Sequence, residues 1–241
     1  MKTVLCLLFA VFLCGAFAAE GQPDKTLSAE QFVNVVRTPP GRESWGILEG
    51  KASHRRRGTS TVEAPIRFSV LFTRSRTIAQ IVFNGNEIYD VAQSYTAPFA
   101  SSIDMREPGG RQSLNDFGLR PEDLTMNFIF WPLKRELEPD SVRGVACRVM
   151  VFESPAGKES VKVYIARDYY SPMKVEWFNV PAAKISGRAF RTLEVTSFRK
   201  SGDLWVVGAL SLFGPGWRTV VDFPDSKAGL TKDGVAKELF R

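Results

Sequence analysis

Histidine and cysteine are nearly absent, and this removes whole classes of chemistry. Of 241 residues one is His and three are Cys. Cys6 and Cys14 lie in the first apolar run, so a chain that sheds that run keeps only Cys147. A lone cysteine forms no internal disulfide, and no His stands near it in sequence to act as a base. A Ser-His-Asp triad or a His-rich metal site would have to use His54, which is embedded in His54-Arg55-Arg56-Arg57. No glycine-rich phosphate loop stands between a strand and a helix, and no cofactor motif or metal-ligand spacing is present. Beyond the first run, no stretch is apolar enough to span a bilayer. No repeat, low-complexity tract or linker divides the chain.

That first run extends from Val4 to Phe17 behind Lys2, and Ala16-Phe17-Ala18 fits the small-x-small rule for signal cleavage. Residues 1–18 are therefore predicted to be a signal peptide cleaved before Ala19, and 19–241 one soluble domain outside the cytoplasm. Lipidation at Cys14 would call for a small residue before it, where Leu13 stands. The formal charge of +6 is modest and includes Lys2. Nucleic acid is not an expected partner of an exported chain without a nucleic-acid motif. Arg55, Arg56 and Arg57, with Lys51, Arg74 and Arg76, form an early basic cluster. It reads first as a solvated hairpin tip, and second as a surface for an anionic membrane or an acidic partner.

Aromatic residues are plentiful, with 18 Phe and 5 Trp. The stretch Leu119-Arg-Pro-Glu-Asp-Leu-Thr-Met-Asn-Phe-Ile-Phe-Trp-Pro-Leu133 organises them. Pro121 suits the first position of a helix, and Glu122 and Asp123 suit its positive end better than they suit acid–base work. Leu124, Phe128 and Trp131 follow at helical spacing, and Pro132 ends the helix. A helix this apolar on nearly all sides is a buried plug.

Strands are predicted on both sides of the plug. Before it, Ser28 caps a helix that places Phe32, Val35 and Val36 on one side and ends at Thr38-Pro39-Pro40-Gly41. Strands then cover 45–54, where Gly46 and Gly50 allow a bend or close approach, and 63–73, with Ile66, Phe68, Val70 and Phe72 on one face. Asn84-Gly85 joins strands 78–83 and 88–92, and a turn-rich passage through Glu107-Pro108-Gly109-Gly110 leads to the plug. After it come 142–153, 160–167, 173–178 with Met173, Val175 and Trp177 on one face, 190–199, 204–212 and 217–223. Cys147 alternates with Val145, Val149 and Val151 as a small buried hydrophobe. Asp222 and Asp225 bracket Phe223-Pro224 as turn residues, and 233–240 forms a last helix or an irregular tail. Short turns between alternating strands imply an antiparallel meander. The fold class is mainly β (α+β), a curved sheet with both helices across its hollow side. The apolar volume is either packed core or a cavity for a hydrophobic ligand.

Asp116-Phe117-Gly118-Leu119-Arg120-Pro121-Glu122-Asp123-Leu124 resembles the turn-and-helix motif of the LolA-like outer-membrane lipoprotein-sorting proteins, in their treponemal lipoprotein-like branch. Arg143 to Val149, Val161 to Val175 with Asp168, and Val195 to Lys200 with Leu204-Trp205-Val206 resemble later strands of that branch. The resemblance implies an unclosed antiparallel half-barrel whose concave apolar face holds acyl chains beneath helices. It also implies an arginine that fastens the lid. The expected role is a non-catalytic periplasmic carrier that binds acyl chains of a lipoprotein or lipid, with an inner- or outer-membrane protein partner and no cofactor. The candidate cavity residues are Phe68, Val70, Phe72, Val175 and Trp177 from strands, with Phe128, Phe130 and Trp131 from the lid. The alternatives are a lipid-sensing module that docks a protein through Arg55, Arg56 and Arg57 and, more distantly, a hydrolase of lipid or glycan.

Overall fold

Ser28 caps the first helix, α1 (Ala29–Arg37), as its sequence predicts: its hydroxyl accepts from the Gln31 N–H while Gln31 reaches back to the Ser28 N–H. The buried face of α1 carries Phe32, Val33 and Val36, whereas Val35 points outward. The expected trio is thus corrected by one position: Val33, not Val35, completes the i, i+1, i+4 stripe that turns inward. In this computed structural model, residues 27–38, 43–110 and 112–241 are described. The N-terminal apolar run and its cleavage site, Cys6, Cys14 and the Pro39-Pro40-Gly41 stop lie outside the described residues.

Twelve strands follow: β1 (Ser44–Arg56), β2 (Val62–Phe72), β3 (Arg76–Phe83), β4 (Glu87–Ser94), β5 (Ser101–Glu107), β6 (Leu133–Val142), β7 (Val145–Glu153), β8 (Ser160–Ala166), β9 (Pro172–Phe178), β10 (Arg191–Ser201), β11 (Leu204–Gly214) and β12 (Trp217–Leu230). They form one antiparallel sheet in the order β5-β4-β3-β2-β1-β12-β11-β10-β9-β8-β7-β6. Two meanders are therefore joined at the centre of the sheet by the first and last strands. Its two free edges are β5 and β6, which are consecutive in sequence. A flat sheet of this many strands would hold its edges about 50 Å apart, whereas Ser101 and Ile103 of β5 and Leu133 of β6 line one pocket, so the sheet is strongly curled and its edges stay unpaired.

β5 and β6 were not expected as strands. Both are edge strands with mostly exposed residues, and Pro139 interrupts β6. Neither carries the apolar alternation by which a half-buried strand is recognised. β12 is longer than expected, and Asp222 and Asp225 lie within it opposite Lys51 and Glu49, not in a turn. The register slips between Glu49 and Lys51, leaving Gly50 in a bulge. A Cβ on Gly50 would stand 1.9 Å from the Asp222 carbonyl oxygen, so the close approach requires glycine. Asn84 and Gly85 both take positive φ at the β3–β4 turn, as their sequence predicts.

The main core fills the concave side: Phe68, Val70 and Phe72 of β2, Ile81 of β3, Met150 and Phe152 of β7, and Val175 and Trp177 of β9 share one cluster with α1 and the plug. Met173 departs from its expected face. The register shift between Tyr164 and Ile165 places it with Val142, Cys147 and Val149 in a smaller cluster. Burial there pushes the Cys147 thiol up to about 11, where it is protonated and inert. The tail after a 3-10 turn at Thr231–Asp233 is irregular. It is tied to β2 and β3, with Arg67 donating to the Glu238 carbonyl and the Arg241 N–H donating to Gln80 Oε1 at 2.8 Å.

Candidate functional site

The β5–β6 connection carries the plug. Its approach is fixed by Glu87, a buried carboxylate that accepts from the Leu114 N–H at 2.7 Å and the Tyr89 hydroxyl at 2.6 Å. A short helix, α2 (Pro121–Thr125), begins after Arg120, whose N–H donates to Asp123 Oδ2 at 2.7 Å. The single helix expected to run on to Trp131 breaks at Met126, which takes φ +53° and closes α2 on the Glu122 carbonyl. A 3-10 turn, Asn127–Phe130, follows, and Trp131 is extended ahead of Pro132. The segment is apolar on every side, so no one helical stripe can bury it. The left-handed break and tight turn bury every residue from Asp123 to Phe130.

Two cations tie the plug down. Arg191, on β10, forms a buried ion pair with Asp123, bonds the Gly118 carbonyl at 3.3 Å and lies 4.6 Å from the Trp177 ring centre. Arg37, the last residue of α1, donates from Nε to the Ile129 carbonyl at 2.7 Å and from Nη2 to the Trp131 carbonyl at 2.8 Å. Its guanidinium also lies 4.9 Å from the Phe99 ring centre. Those carbonyls are at the end of the 3-10 turn, where backbone acceptors lack intrahelical donors. Arg37 thus joins α1 and the plug into one cover over the sheet's hollow.

Beneath that cover, in the seam between the free edges, lies a cavity of about 890 Å³. Ser101 and Ile103 of β5 form one side and Leu133 of β6 the other, with Val33 and Arg37 of α1 and Phe130 and Trp131 of the plug above. Phe99 and Pro98, from the β4–β5 turn, complete its apolar wall. Seven of the seventeen lining residues are polar: Glu30, Asn34, Arg37, Gln93, Ser101, Glu122 and Asn127. Burial raises the Glu122 carboxyl above its usual 4.5, and the adjacent Asp123 charge adds to this. The remaining ten lining residues are apolar, so the wall combines a mainly apolar surface with a polar minority.

The eight cavity candidates all belong to the concave-side cluster or pack against it. Phe130 and Trp131 reach the cavity wall. Phe68, Val70, Phe72, Val175 and Trp177 of the sheet lie deeper and share one cluster with Phe128 of the plug, each of the six 2% exposed or less. Phe128 meets Trp177 edge to face at 5.4 Å. Arg55, Arg56 and Arg57 are exposed at the far end of β1. Sequence reasoning did not single out Arg37, Val33, Phe99 or Ile103. For Arg37 the readable signal was a basic residue at a helix C-terminus; its partners lie more than 90 residues away.

No family model matches the sequence, and no curated protein matches it. Solved structures do. A DUF1329 family protein from Desulfovibrio piger superposes with a TM-score of 0.58 at 14% identity, covering 87% of this chain and 92% of that one. A protein domain from Vibrio parahaemolyticus, described as outer membrane lipoprotein-sorting, gives 0.53 at 13% identity over 85% of this chain and 91% of that one. A LolA superfamily protein from Nitrosomonas europaea gives 0.46 at 14% identity, over 83% and 93%. The architecture expected from the sequence is the one observed: an unclosed antiparallel half-barrel, covered by helices on its concave side, the fold of the first two of these solved structures.

Proposed function

We propose that this chain is an exported periplasmic carrier whose single domain, residues 19–241, shelters acyl chains of a lipid or lipoprotein without acting on them chemically. The observation that carries this reading is the cavity in the β5–β6 seam, which is lined mainly by apolar residues, open at the edge and roofed by a cover that polar contacts hold in place. A closed core would need no such seam. About ten methylenes buried at about 0.8 kcal/mol each contribute about 8 kcal/mol, enough for micromolar retention before the cost of ordering the chain. In the arrangement described, acyl carbons would contact Phe99, Ile103, Phe130 and Trp131 first. The deeper candidates Phe68, Val70, Phe72, Val175, Trp177 and Phe128 would line a larger chamber once the plug lifts. The solved neighbour described as lipoprotein-sorting supports a carrier reading in general. Gentle purification of the exported form, followed by mass spectrometry of an organic extract, tests it. The expected result is a stoichiometric acyl-bearing molecule; protein empty from every lipid-containing host would overturn it.

A second reading adds a docking role for Arg55, Arg56 and Arg57, supported by their consecutive exposure at one tip. Reversing all three to Glu is expected to abolish capture of an acidic partner while leaving acyl binding intact.

A further inference from the structure

At the other end of the plug lies a second pocket, of about 320 Å³, whose walls differ in kind. Arg56 comes from β1, Arg120 from the plug and Arg191 from β10, and His54 and the rings of Phe190 and Trp217 complete it. No carboxylate is among its walls: Asp123 and Glu159 pair with Arg191 and Arg120 but do not line it. His54 is held as a neutral donor–acceptor. Its Nδ1 bonds Thr219 Oγ1 at 2.8 Å, Thr219 donates onward to the Phe117 carbonyl, and Nε2 accepts from Arg56 Nε at 3.3 Å. Arg191 is only 4% exposed, and its Nε has no acceptor among the described residues. A buried guanidinium N–H left without a partner is costly, so Arg191 already carries an unsatisfied donor beside this pocket.

We propose that this pocket binds a phosphoryl group, as a soluble phosphoester or a phospholipid headgroup, and that its occupancy fastens the plug to the sheet. Three guanidiniums from three separate elements suit a tetrahedral, multiply charged oxyanion better than a planar carboxylate, which a single arginine already satisfies. The volume exceeds that of a bare phosphate, and the Trp217 and Phe190 rings offer a flat apolar wall for whatever the phosphate is attached to. Arg120 belongs to the plug, whereas Arg56 and Arg191 belong to the sheet, so one ligand would cross-link the two. A ligand that binds only the plug-down form shifts the opening equilibrium by one plus its concentration over its Kd, about 100-fold at 100 times Kd. This inference does not rest on the carrier reading.

Isothermal titration with inorganic phosphate and glycerol 3-phosphate, and flotation with phosphatidate against phosphatidylcholine vesicles, test it in wild type, Arg56→Gln and Arg120→Gln. Arg56 is exposed and the Arg120 side chain is 40% exposed, with Glu159 as its ion-pair partner, so the variants should keep the wild-type circular dichroism. The expected result is saturable binding weakened at least about tenfold by either substitution, with slower hydrogen exchange across 120–131 when the ligand is present. Binding confined to the soluble esters assigns a soluble phosphoester, and binding confined to phosphatidate assigns a headgroup. Absence of binding with every probe, binding indifferent to both substitutions, or exchange in the plug unchanged on saturation overturns the proposal.

Discussion

Asp123 of α2 and Arg191 of β10 form an ion pair sealed inside the protein, with Asp123 Oδ1 and Arg191 Nε lacking further partners among the described residues. Pairs of this kind stabilise little relative to an apolar replacement, but removing one partner strands the other charge. Asp123→Ala is therefore expected to lower stability by about 3–5 kcal/mol in urea unfolding. A loss below about 1 kcal/mol would mean that Arg191 finds another acceptor.

Arg37 acts at the opposite end of the plug. Each charge-assisted bond to a backbone carbonyl contributes about 1.5–3 kcal/mol. Arg37→Ala is expected to speed hydrogen exchange at 128–131 at least about tenfold, while the central strands β1 and β12 keep their protection. Uniform acceleration across the sheet would show that Arg37 supports the whole fold and not the cover.

Glu122 sets a pH dependence. Burial raises its carboxyl above 4.5 in the folded state, so between the usual carboxylate range and that raised value the folded form holds more protons than the unfolded form. Its contribution to stability is full below the unfolded value and is lost as pH rises through the folded one. Glu122→Gln should raise the thermal midpoint at neutral pH and flatten its decline from acid to neutral. An identical pH profile in the variant contradicts this.

How much of this was legible in the sequence depends on the kind of residue. Strands that bury one face, such as β2 with Phe68, Val70 and Phe72, announce themselves by alternation. The Ser28 cap and the Asn84-Gly85 turn are local chemistry and are equally readable. The edges β5 and β6 are not, since their residues face water on most sides. Yet those edges flank the seam in which the cavity lies. The plug was placed correctly but not its break at Met126, because a left-handed residue without glycine or asparagine has no propensity signal. Arg37 and Arg191 were missed for a different reason. Their roles come from contacts 92 and 68 residues away, which no local pattern encodes.

Gly50 offers a test of the sheet's centre. Gly50→Ala places a Cβ 1.9 Å from the Asp222 carbonyl oxygen, so the two central strands must part locally. The expected cost is about 2–3 kcal/mol, read as a lower denaturation midpoint. Gly58→Ala is a control for positive φ alone, since a Cβ there meets nothing within 4 Å.

The central claim is that the β5–β6 seam admits an acyl chain, and a fluorescent fatty acid titrated into delipidated protein tests it most directly. Wild type is expected to bind one probe in the micromolar range. Ala100→Trp, an exposed substitution at the cavity wall, should weaken that binding at least about tenfold, or about 1.4 kcal/mol, with the thermal midpoint unchanged. No saturable binding by wild type, or equal affinity in the filled variant, would contradict the account.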